Sequence, residues 1–81
     1  MSWRVFATAA SEPDFQQLSD EERAALNEDL FAWVDTGPPR RNRRPVFDFE
    51  VFEDLVPSGF RVTYIVNEAG PYVALLRVRK A

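Results

Sequence analysis

Thr36-Gly37-Pro38-Pro39 constrains the fold of this chain more than any other stretch of it. Glycine accepts backbone conformations closed to other residues, and consecutive prolines lack the amide hydrogens that would carry a helix onward. A helix entering this tetrapeptide ends in it, and the chain beyond must start a new kind of structure. The break also separates two electrostatic halves. Residues 1–37 carry two cations, Arg4 and Arg23, against eight carboxylates, whereas residues 38–81 carry eight cations against five carboxylates. The net charge of −3 describes neither half. An acidic half fits a solvated helix face, and a basic half hints at an acidic or nucleic-acid partner.

On the N-terminal side, Trp3 to Thr8 alternates as a short strand, with Trp3, Val5 and Ala7 on one side. Ser11-Glu12-Pro13-Asp14 starts a short helix that Ser11 is placed to cap, with Phe15 and Leu18 on a common face. Ser19 and Glu22 have capping-box spacing, and Asp20, Glu21 and Glu22 lie where the helix dipole favours negative charge. Leu26, Leu30, Trp33 and Val34 follow at helical spacing, so a second helix runs to about Asp35.

Beyond the prolines the pattern is that of strands. Val46 to Val56 reads as one strand, Phe60 to Val66 as a second and Tyr72 to Arg79 as a third. Pro57-Ser58-Gly59 and Asn67 to Pro71 supply the turns between them. The expected order is β-α-α-β-β-β in a single α+β domain, residues 1–81, with a two-helix hairpin packed on a twisted, mostly antiparallel four-stranded sheet.

At 81 residues the chain allows one hydrophobic core, and 46% hydrophobic with 28% charged residues is a globular composition. No apolar run approaches the roughly 20 residues a membrane span needs. Trp3-Arg4-Val5-Phe6 is not the basic-then-apolar start of a signal peptide, and a cytoplasmic location is expected. With neither cysteine nor histidine, thiolate and imidazole metal sites, disulfides and Ser-His triads are excluded. No glycine-rich phosphate loop exists, and no metal or cofactor is expected. The helix carboxylates and most of the aromatic residues, Tyr64 among them, read as solvated face and core.

Two groups of cations remain as candidates for chemistry. Arg40, Arg41, Arg43 and Arg44 lie together in a connection that reaches water, and guanidinium forks suit phosphate. A solubilising loop paired with Asp48 or Glu50 explains them equally. Arg61 lies inside a strand, with Phe60, Val62 and Tyr64 on the opposite face. A hairpin turn centred on Ala69 sets Arg61 against Arg77, two like charges that repel unless an anion joins them. Either a phosphate or a carboxylate from Glu53 or Asp54 meets that need.

The element order, and above all the Ser58-Gly59-Phe60-Arg61-Val62-Thr63-Tyr64 pattern followed by the apolar strand from Tyr72 to Val78, resemble the RelE/ParE toxin superfamily. The resemblance implies a bacterial cytoplasmic toxin neutralised by a cognate antitoxin. In RelE-like members it implies metal-independent cleavage of messenger RNA on the ribosome, through the ribose 2′-hydroxyl and cations that stabilise the pentacoordinate phosphate. Arg61 matches the family's strand arginine, and Lys80 falls in its basic C-terminal segment. The implied partial site is Arg61 and Arg79 for phosphate and Lys80 as proton donor, with Arg40, Arg41, Arg43, Arg44 and Arg77 as nucleic-acid contacts. Phe52, Asp54 and Ala81 stand where the family places cations. A gyrase inhibitor of the ParE kind, or a non-catalytic interaction module on the same fold, are the alternatives.

Overall fold

The computed structural model describes residues 2–81. Strand β1 (Arg4–Ala7) leads into helices α1 (Glu12–Gln16) and α2 (Asp20–Thr36). Strands β2 (Arg44–Val46), β3 (Phe49–Leu55), β4 (Phe60–Asn67) and β5 (Tyr72–Lys80) follow. They form one sheet in the order β1-β5-β4-β3-β2, with β1 parallel to β5 and every other pair antiparallel.

The helix signals act as their chemistry requires. At the start of α2, Ser19 Oγ accepts from the Glu22 amide at 3.1 Å and Glu22 accepts from the Ser19 amide at 3.0 Å, closing the capping box. The helix stops at Gly37, whose φ of 78° suits glycine, and a β-carbon there would come within 2.9 Å of the Trp3 indole nitrogen. Ser11 precedes α1 but does not cap it. Its hydroxyl turns back to the Thr8 carbonyl, which ties the end of β1 to the helix instead.

Leu26, Leu30 and Trp33 of α2 pack on Phe52, Phe60, Val62, Tyr64, Leu75 and Val78 to form the core on one face of the sheet. Tyr64 is fully buried, its ring 4.9 Å from that of Trp33. Among the described residues, no helix is long and apolar enough to cross a membrane.

Three features depart from the sequence expectation. The stretch expected as one strand from Val46 to Val56 is a β2–β3 hairpin turning at Phe47-Asp48, so the sheet has five strands rather than four. Pro45 is tolerated in β2 because that strand lies at the sheet edge. The β4–β5 register also differs: Arg61 faces Arg79, and Arg77 faces Thr63. Leu76 is the extra residue of a bulge, since Thr63 pairs with Arg77 but Tyr64 pairs with Leu75. That insertion lets Val73, Leu75 and Val78 all reach the core. Finally, Phe52 and Asp54 point into the helix-facing layer and not onto the open face, where Glu53 stands instead.

Candidate nucleic-acid interface

The bulge at Leu76 determines which face the cations of β5 occupy. Strict alternation would put Arg77 and Arg79 beside Val73 and Leu75; the extra residue moves them to the open face with Arg61 and Thr63. There, Arg44, Glu53, Arg61, Thr63, Arg77, Arg79 and Lys80 line a groove of about 490 Å³. Arg61 and Arg79 are directly paired across the strands, so a single anion can lie against both guanidinium groups.

Carboxylates temper most of this charge. Glu53 meets Arg44 Nη2 at 3.0 Å and Arg61 Nε at 3.6 Å, one oxygen to each. Arg77 Nε donates to Asp14 Oδ2 of α1 at 3.0 Å, and the Val78 amide donates to the same oxygen at 2.9 Å. Asp14 thereby fills an acceptor position beside β5 where β1 has already ended. Its desolvation opposes ionisation, but the Val78 amide, Arg77 and the charge of Arg79 outweigh this and hold its carboxyl below the usual range. Lys80 ends β5 on the parity of Val78, and its ammonium pairs with Glu22 of α2 at the groove's rim. That ammonium, and next the Ser19 amide, lower Glu22 to about 2. Among the described residues, Arg79 is the groove cation that has no carboxylate within ion-pairing distance.

The arginine loop does not converge as a unit. Arg40 lies over the Trp3 ring, 5.2 Å from its centroid, and pairs with Glu68. Arg41 Nε is 3.9 Å from Asp54 Oδ1, and Arg43 reaches Glu50 at 3.2 Å. Of this cluster, Arg44 alone lines the groove. The loop itself is anchored to the core. Tyr64 donates its hydroxyl hydrogen to Asp54 Oδ2, accepts from the Arg40 amide at 2.8 Å, and Asp54 Oδ2 also accepts from the Arg41 amide at 3.2 Å. Burial, and then the neighbouring carboxylate, raise the Tyr64 phenol above its ordinary value.

Of the residues expected at the site, Arg44, Arg61, Arg77, Arg79 and Lys80 line the groove, while Arg40, Arg41 and Arg43 do not. Of the two carboxylates expected to meet Arg61, Glu53 does so and Asp54 is buried against Tyr64 instead. Counting parity from the buried Phe52 separates the two, because neighbouring residues of one strand face opposite ways.

No family model matches the sequence, and no curated protein is matched by it. Solved structures are nevertheless similar over the whole chain. The RelE–RelB complex of the archaeon Pyrococcus horikoshii superposes with a TM-score of 0.71 at 17% identity, covering 99% of this chain and 96% of that one. The RelBE2 toxin–antitoxin complex of Mycobacterium tuberculosis gives 0.71 at 20% identity, with both chains covered in full. The intact RelBE toxin–antitoxin complex of E. coli gives 0.73 at 17% identity, covering 99% and 98%. The chain has a RelE-like fold, α+β, with its helices on one face of the sheet and its cationic groove on the other.

Proposed function

We propose that this protein is the toxin of a toxin–antitoxin pair and cleaves messenger RNA on the ribosome. The observation that carries this reading is the pairing of Arg61 with Arg79 on the open face, with Arg44, Arg77 and Lys80 beside them. Solved relatives of the fold that are bound to RelB antitoxins support an antitoxin partner here. The site of action is the cytoplasm.

Cleavage by the RNA's own 2′-hydroxyl needs a proton acceptor, stabilisation of a pentacoordinate phosphate, and a proton for the departing 5′-oxygen. Glu53 is the carboxylate lining the groove, and it takes the 2′-hydroxyl proton as the 2′-oxygen–phosphorus bond forms. Arg61 and Arg79 hold the non-bridging oxygens as negative charge builds. Lys80, at the rim, gives a proton to the 5′-oxygen as its bond to phosphorus breaks, leaving a cyclic phosphate and a free 5′-hydroxyl. A phosphate entering the groove displaces Glu53 from Arg61, a weak, half-exposed ion pair worth about 0.2–1 kcal/mol.

Induction in bacteria tests the reading. Growth arrest is expected, with relief by Arg61→Ala and transcript cleavage that requires ribosomes. A second reading, a non-catalytic module or gyrase inhibitor on the same fold, draws on the carboxylates that tie four of the five groove cations. Growth arrest with intact transcripts and inhibited DNA supercoiling would select the gyrase inhibitor; normal growth at high expression would select the module.

A further inference from the structure

The β2–β3 hairpin carries a side chain that folding does not explain. Phe47 takes the first turn position with φ 55°, where two-residue hairpin turns favour glycine, and its ring is 97% exposed. An aromatic residue there meets a steric penalty without the compensation of burial. The apolar character continues beyond the turn, with Phe49 at 60% and Val46 at 44% exposure. Arg44, two residues before Val46 on the same strand, lines the cationic groove, so hairpin tip and groove form one continuous surface.

We propose that this tip is a stacking element for single-stranded RNA: Phe47, with Phe49 beside it, receives a base of the strand whose phosphate lies between Arg61 and Arg79. The inference rests on the ribonuclease reading and adds to it where the substrate leaves the groove. Along β3, Glu53 lies four residue steps beyond Phe49, roughly 13 Å, a span that a few nucleotides cover. Arg44 then meets the intervening backbone. Flat exposed rings next to guanidinium groups are the combination that single-stranded nucleic acid rewards, because every base offers a face for stacking and every linkage a charge. An acidic peptide would match the arginines but leave the rings without stacked partners.

The test is fluorescence anisotropy of a labelled, mixed-sequence oligoribonucleotide with the purified full-length protein and three variants. Phe47→Gly relieves the backbone, so its thermal midpoint should rise or hold, while its RNA affinity falls roughly 5- to 100-fold, the range for one lost stack. Phe47→Trp should bind as well as the parent. The salt dependence should be unchanged in Phe47→Gly but shallower by about one counterion in Arg61→Ala. Parental affinity in Phe47→Gly, with weakened binding in Arg61→Ala, would overturn the stacking role and leave the ribonuclease reading intact. Parental RNA affinity in Phe47→Gly with loss of binding to the protein encoded beside this one would assign the tip to a protein partner and also overturn it. Absence of RNA binding by the parent protein would overturn the stacking role, whereas the ribonuclease reading falls only if transcripts stay intact in the presence of ribosomes.

Discussion

The hydroxyl of Tyr64 donates to the carboxylate of Asp54 inside the protein while accepting from the Arg40 amide, so one buried phenol joins the centre of the sheet to the arginine loop. Tyr64→Phe removes that junction without changing the packing volume and leaves the Arg40 amide without its partner. The expected cost is about 1–3 kcal/mol, read as a lower urea midpoint at unchanged slope. Because burial raises the phenol's pKa, the folded state favours the protonated form. Its contribution is present below the unfolded tyrosine pKa of roughly 10 and is lost as pH rises through the folded value. Parent and Tyr64→Phe stabilities should therefore differ in pH dependence only in alkaline solution.

Glu53 should divide binding from chemistry. Glu53→Gln keeps the shape, frees Arg44 and Arg61 from a carboxylate and removes a charge that repels phosphate. RNA affinity at low salt should rise while cleavage on ribosomes falls roughly 10²- to 10⁴-fold, as expected for loss of a general base. Equal cleavage by parent and variant would remove Glu53 from the proton pathway.

The Glu22–Lys80 pair predicts an acid-side effect. Glu22 is lowered from 4.5 to about 2, so the folded protein favours its ionised form. That contribution is complete above the unfolded value and is lost as pH falls from about 4.5 towards 2. A carbon-detected NMR titration should place the Glu22 carboxyl near 2 in the parent and return it towards its ordinary value in Lys80→Ala. The shift should be smaller than complete, since the Ser19 amide remains bonded to the carboxylate.

Deletion of Leu76 should leave the faces of β5 unchanged. Leu76 is the residue without a partner on β4, so its removal joins Leu75 to Arg77 in plain alternation and keeps Arg77 and Arg79 on the open face with Val78 in the core. A cooperative transition is expected for the deletion, whereas one alanine inserted between Arg77 and Val78 sends Val78 to solvent and should abolish cooperative unfolding. Both are checked by circular dichroism melts.

The helical half was legible in the sequence because its determinants are local. Ser19, Glu22 and Gly37 interact within a turn or two of the chain, and each behaves as its spacing indicates apart from the added role of Gly37 against Trp3. The strand half was legible in type but not in register. Phe47-Asp48 lacks the glycine or asparagine that marks a hairpin, so β2 and β3 merged into a single apparent strand. The bulge at Leu76 leaves no compositional trace, because it arises from the need to bring Leu75 and Val78 onto one core, a condition set by residues on other strands. The groove cations were legible as charges, and Glu53 as a partner of Arg61 because one short turn joins their strands; Asp14 lies 63 positions from Arg77, and that pairing depends on tertiary structure.

The carboxylate of Asp14 has a consequence beyond its pairing with Arg77. Where β1 stops at Ala7, the flank of β5 presents unmatched amides, a template on which a strand from another molecule can grow. By accepting the Val78 amide, Asp14 closes that template from within the same chain. A short helix that contributes little to the core thus guards the protein against edge-to-edge polymerisation, and its acid is the stopper.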